Sequence, residues 1–184
     1  MGVRFQHTVL ALAVSQLFFG SVYAAAIGNL QQVKLQQNQL LLQTDNQMQL
    51  QIELLKPDVF RLQATDGQSF SGAGDKAASI VLPQTYAPVQ YQWTDQGDHQ
   101  LLTTSAMALR VYKKPLTIAL YKADNKTLLF KELQPVEISK ENSFQTLSSS
   151  ADERIFGGGQ QNGAFEFKGK TMEISYSGGW EEGD

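Results

Sequence analysis

The run Gln47-Met48-Gln49-Leu50-Gln51-Ile52-Glu53-Leu54 alternates polar and apolar side chains without a break. In an extended chain successive side chains point to opposite faces, so Met48, Leu50, Ile52 and Leu54 share one face and the polar residues share the other. A helix would scatter the same residues around its axis. A strand of this kind must cover its apolar face with another layer. The pattern returns at Met107, Leu109 and Val111 against Ala108, Arg110 and Tyr112, and again at Ile118 and Leu120 after Pro115. Turn signals stand between the runs: Asp66-Gly67, Gln96-Gly97-Asp98 and Asp124-Asn125-Lys126. No long amphipathic helix competes. The expected fold class is therefore all-β, an antiparallel β-sandwich whose two sheets face each other. The stretch Gln68 to Ala78, rich in Ser, Gly, Ala and Asp, is predicted as a loop, and Ser148 to Asp152 as a second polar connector.

The first 24 residues fall outside this pattern. Arg4 supplies a positive start, about eleven mostly apolar residues run from Val9 to Phe19, and Val22-Tyr23-Ala24 offers small cleavage positions. Residues 1–24 are expected to be a secretory signal cut after Ala24, and residues 25–184 one domain with a glycine-rich loop region over 155–184. The apolar run is shorter than the roughly twenty residues a membrane helix needs, so no membrane span is expected. An exported chain, periplasmic or secreted, is the reading. It contains no cysteine, so no disulfide staples it. A net charge of -3 gives no basic field for nucleic acid. Asn125-Lys126-Thr127 matches a glycosylation sequon, which a bacterial periplasm would leave idle.

Chemistry is sparse. Gly169-Lys170-Thr171 ends like a phosphate-binding loop, yet the preceding positions are Ala164, Phe165, Glu166, Phe167 and Lys168. Two rings and a carboxylate crowd the cradle that such a loop forms from small residues, and the alternating Met172 to Tyr176 reads as a strand where a helix belongs. His99 is the single histidine after the signal, so neither a zinc cluster nor a histidine-centred triad can be assembled. It reads as a surface histidine beside a hairpin turn. No metal and no cofactor is called for. Glu181, Glu182 and Asp184 beside Trp180 have the composition of sugar chemistry, paired acids with an aromatic, and equally that of a solvated acidic tail. Trp93-Thr94-Asp95 reads as a strand end entering a turn.

Three segments, taken in order, carry a resemblance. Val59-Phe60-Arg61-Leu62, Thr104-Ser105-Ala106-Met107 leading into the strand before Lys114-Pro115, and Phe156-Gly157-Gly158-Gly159-Gln160-Gln161 resemble the N-terminal part of glycoside hydrolase family 31, which includes α-glucosidases and α-xylosidases. Phe167-Lys168-Gly169-Lys170-Thr171 and Trp180 resemble one branch of it. The resemblance implies a galactose-mutarotase-like β-sandwich packed beside a (β/α)8 barrel that carries two catalytic aspartates. No barrel pattern precedes Asp184, so the chain alone is expected to be inactive, with no catalytic residue of its own. The family's segment after the glycines reaches over the barrel mouth, which implies a substrate-binding role for Trp180 and Asp184.

The glycines then serve backbone conformation, with a hairpin expected through Asn162-Gly163 and a shared packing face for Phe165 and Phe167. Three functions follow. The first is the non-catalytic sandwich of an exported α-glycosidase, meeting an α-linked oligosaccharide through the full-length enzyme. A stand-alone carbohydrate-binding module, with Trp180, Trp93, Tyr86 or Tyr91 stacking on sugar rings, is the second. The third is a structural sandwich that binds another protein.

Overall fold

The computed structural model describes residues 25–67, 70, 85–139, 142–157 and 165–171. The strands, in chain order, are β1 (Ala25–Ala26), β2 (Leu30–Gln36), β3 (Gln39–Thr44), β4 (Gln49–Lys56), β5 (Val59–Thr65) and β6 (Gln92–Asp95). They continue with β7 (His99–Thr103), β8 (Met107–Lys113), β9 (Leu116–Lys122), β10 (Leu128–Lys131), β11 (Glu137–Ile138) and β12 (Ser143–Phe144). Each strand is short and bounded by polar or glycine-containing turns, so sequential neighbours pair as antiparallel meanders. One sheet has the order β2-β3-β4-β5 and the other β10-β9-β8-β7-β6, while a small third sheet pairs β1-β11-β12.

The period-two pattern builds the interior directly. Leu40 and Leu42 of β3 and Leu50, Ile52 and Leu54 of β4 are buried in one core with Leu102, Leu109, Val111, Leu116 and Ile118 of the facing sheet. Register places these side chains opposite one another, Leu40 against Ile52 and Leu42 against Leu50 on one sheet, and Leu109 against Leu102 and Val111 against Ile118 on the other. The sandwich expected from the sequence is the observed fold. Ala108 and Ala119 depart from strict alternation, for both are fully buried although they lie on the outer side of their strands. There Arg110 stacks over Tyr121, 4.1 Å from its ring centre, and bonds through Nε to Asn125 Oδ1 at 2.9 Å. These long side chains lie across the small ones.

The expected turns are turns. Gly67 and Gly97 take φ of +96° and +92°, and Asn125 takes +51°. Asp124 clamps the last of these by accepting from Thr127 N at 2.9 Å, from Thr127 Oγ1 at 2.7 Å and from Lys126 N at 2.8 Å. Those donors, with the Thr127 backbone leading, lower its pKa to about 2. The sequon is thus built into a structural turn.

The first described residues close one end of the core. Ala25 pairs with Ile138, Ile27 N donates to Val136 O at 2.8 Å, and Leu116 N donates to Gly28 O at 2.9 Å. Ile27 is 1 % exposed. Between these bonds Gly28 turns the chain at φ +89°, and a Cβ there would lie 2.6 Å from Asp45 Oδ1 and 2.9 Å from Asn46 Cγ. Neither neighbour is free to move. Asp45 receives Asn29 N at 2.9 Å and Asn29 Nδ2 at 2.7 Å, and Asn46 Nδ2 donates to Ala26 O at 2.8 Å. Gly28→Ala combines a left-handed backbone with a steric clash, so it is expected to cost about 2 kcal/mol or more. Thermal unfolding monitored by circular dichroism should show a midpoint lowered by several degrees.

Candidate functional site

The inner faces of the two sheets cover each other, and exposed apolar side chains gather along the flank built after β9. Eight of the ten exposed large apolar side chains among the described residues fall from position 128 onward: Leu128, Leu129, Leu133, Phe144, Leu147, Ile155, Phe156 and Phe165. They are held on connected backbone. Leu133 N donates to Thr146 O and Ser148 N to Lys131 O, so residues 145–148 run beside the end of β10. Further on, Phe167 N donates to Ile155 O at 2.8 Å, and Lys168 Nζ bonds the carbonyls of Ser150 and Ala151. The rings of Phe156 and Phe165 meet at 5.2 Å, although Phe165 remains 83 % exposed. The shared packing face expected for Phe165 and Phe167 is only partly formed: Phe165 points outward onto Phe156, and Phe167 is half-buried.

Glu132 organises the root of this flank. Where β10 stops, Glu132 N donates to Ile118 O at 2.9 Å and Glu132 Oε2 accepts from Ile118 N at 2.8 Å. Gln145 Nε2 donates to Glu132 Oε1 at 2.7 Å, which ties the returning segment to the sheet. The residue is 8 % exposed, and burial pushes its carboxyl pKa up against the lowering effect of those two donors. Sequence patterning gave no sign of this role, because a glutamate after an apolar run reads as an exposed strand end.

The turn around Gly169 argues against phosphate binding. Gly157 and Gly169 take φ of +109° and +71°. Lys170 N closes a turn onto Phe167 O, and Lys170 Nζ bonds Glu166 O at 3.1 Å. Glu166 accepts from Lys168 N at 2.9 Å and from Ile155 N at 3.3 Å, and these bonds lower its pKa. An ionised carboxylate occupies the middle of the would-be cradle, and both lysines are spent on backbone carbonyls.

Trp180 and Asp184 lie outside the described residues, as do Glu181, Glu182, the Asn162-Gly163 hairpin, Met172 to Tyr176, and Gln68 to Ala78 except Phe70. Of the other aromatics, Trp93 and Tyr91 are half-buried and pack against the core. His99 departs from the surface reading: its side chain is 15 % exposed, Nδ1 lies 2.6 Å from Asp98 Oδ1, and its ring meets Tyr112 at 5.4 Å. Among the described residues no group of His, Asp and Glu could hold a metal ion, and no helix is long and apolar enough to cross a membrane.

The glycosyl hydrolase 31 N-terminal galactose mutarotase-like domain matches residues 49–183. No curated protein matches the sequence. Among solved structures, the chain is similar to a GH31 dextranase from Flavobacterium johnsoniae complexed with isomaltotriose, with a TM-score of 0.66 and 17 % identity, covering 77 % of this chain and 18 % of that one. It is also similar to a cycloalternan-forming enzyme from Listeria monocytogenes in complex with a pentasaccharide substrate, with a TM-score of 0.55 and 15 % identity, covering 77 % and 13 %. The chain therefore spans less than a fifth of the length of these structural relatives.

Glu132→Ala removes the acceptor of a buried N–H and is expected to cost about 1–3 kcal/mol. Glu132→Gln keeps an acceptor and removes the desolvated charge. Because the folded pKa is raised, the charge penalty is absent below the unfolded value near 4.5 and grows as pH rises through the folded value. Urea unfolding should therefore find Glu132→Gln at least as stable as wild type at pH 7, with the difference closing towards pH 4.

Proposed function

The chain belongs to the glycosyl hydrolase 31 N-terminal galactose mutarotase-like domain family, and from that membership we propose that it is the non-catalytic sandwich of an exported α-glycosidase. The observation that carries this reading is the exposed apolar flank on β10, β12 and the glycine-bearing segment. A concentration of exposed large apolar side chains along one connected stretch of backbone marks a surface suited to being covered. The occupant that fits is the enzyme's own catalytic (β/α)8 barrel, because the structural relatives are more than four times as long as the matched portion. Side chains such as Leu133, Leu147 and Phe156 then exchange water for barrel contacts, and the rigid root at Glu132 sets the docking angle.

The substrate of the whole enzyme is an α-linked oligosaccharide in this reading, consistent with the isomaltotriose and pentasaccharide bound by the relatives. Trp180 and Asp184 follow the docking segment in sequence and would rim the sugar site. The sandwich itself contributes positioning and exclusion of water, while proton transfer and nucleophilic attack belong to carboxylates of the barrel. Export is supported by the leader alone, Arg4 followed by the apolar run from Val9 to Phe19 and the small residues before Ala25.

Two outcomes are expected of the purified chain. It should release no p-nitrophenol from α-glucosides or α-xylosides, and turnover above blank refutes the non-catalytic assignment. Sedimentation should show concentration-dependent self-association through the bare flank, reduced by at least about fivefold in a Leu133→Gln, Phe156→Gln double variant. A wild-type chain that stays monomeric at high concentration speaks against a docking face.

A further inference from the structure

In contrast to the apolar flank, the outer face of β2-β3-β4-β5 is a lattice of amides. Register sets Gln32, Gln43, Gln49 and Thr65 in one row, Lys34, Leu41, Gln51 and Gln63 in the next, and Gln36, Gln39, Glu53 and Arg61 in the third. The third row opens into a surface cavity of about 610 Å³, within the roughly 300–1,000 Å³ of ligand clefts. Gln36, Gln37, Asn38, Gln39, Glu53 and Tyr86 line it. Tyr86 also borders a second cavity, of about 590 Å³, on the far side of the incoming 85–90 segment.

We propose that this corner is a carbohydrate-binding subsite, in which the half-buried Tyr86 ring stacks on a pyranose and the Gln36, Gln37 and Gln39 amides bond its hydroxyls. It takes neutral α-linked glucans. Three observations point there. First, the charge balance suits an uncharged ligand: among the described residues that line the cavity there is no lysine or arginine, and the one carboxylate among them, Glu53, is paired with Arg61 and accepts from Gln39 Nε2 at 3.4 Å. Planar amides, each both donor and acceptor, match hydroxyls that also do both.

Second, the backbone on either side of Ala87, next to Tyr86, is held by dedicated bonds. Asn38 Nδ2 donates to Ala87 O at 3.1 Å, and Asn38 Oδ1 accepts from Val89 N at 2.9 Å. The same residue's carbonyl accepts from Leu54 N at 2.7 Å. A side chain in the β2–β3 turn thus fixes the segment carrying Tyr86 against the end of the sandwich. Third, that turn is strained at the rim. Gln37 takes φ +45° in a two-residue connection where glycine would enter at no steric cost.

The inference deepens the proposed function and rests on its substrate class, but its test is separate. In affinity electrophoresis through gels containing dextran or soluble starch, the purified chain should be retarded. Tyr86→Ala should weaken retardation by about fivefold and Gln36→Ala by about twofold, the scale of one stacked ring and one amide bond. Gln36 is exposed, so its variant reports on binding even if Tyr86→Ala perturbs folding. Unretarded wild type, or equal retardation of both variants, overturns the subsite. Loss of retardation in Trp180→Ala alone moves binding to the glycine-rich end and overturns it as well. All these results leave the docking-sandwich reading intact, and hydrolysis by the chain would overturn that reading without touching this one.

Discussion

Everything in this structure depends on two sheets that each have one apolar face and can cover it only with the other's. The leucines of β3 and β4 lie against those of β8 and β9 because both sheets carry period-two sequences, and water is excluded along their whole contact. The N-terminal segment then seals one end by inserting Ile27 between them. This seal requires a left-handed Gly28, two carboxamide and carboxylate clamps, and backbone bonds to both β9 and the residues before β11. The sandwich is thus a closed core with one end capped by its own chain.

Burying both inner faces leaves the outer surfaces to differ, and they do so in kind. One outer face is amide-rich, one carries Arg110 stacked on Tyr121, and the flank after β9 is apolar. Such segregation has a physical consequence for partners. A flank of exposed leucines and phenylalanines is favoured by burial against another folded body, whereas glutamine rows lose hydrogen bonds to water on burial unless a polar ligand replaces them. The apolar flank suits a catalytic barrel, and the amide corner suits a sugar.

The strands were legible in the residues because alternation states both the conformation and the face. Met48 to Leu54 and Met107 to Val111 placed the core almost side chain by side chain, and Gly97 and Asn125 marked turns by the backbone they permit. Legibility ended where pairing ran out. Leu128-Leu129-Phe130 breaks alternation, which signals a surface neither simply inside nor outside, yet the pattern does not say what covers it. Glu132 was invisible because its role is to carry the bonding of β9 past the end of β10 with its side chain, a fact of topology. Tyr86 was one of several aromatics until the Asn38 clamp and the adjoining cavities set it apart from Trp93 and Tyr91, which pack on the core.

The resemblance carried by Phe156-Gly157-Gly158-Gly159-Gln160-Gln161 identified the family, and the proposed function takes a catalytic barrel as the partner of the flank. What decides whether that partner is the chain's own continuation is the coding DNA past the codon for Asp184. If the sandwich is the docking domain of a family 31 enzyme, the reading frame runs on into alternating strands and helices with a Trp-x-Asp-Met-Asn-Glu type motif. A stop codon directly after Asp184 would contradict it, leaving a sandwich with a bare flank and no barrel to cover it.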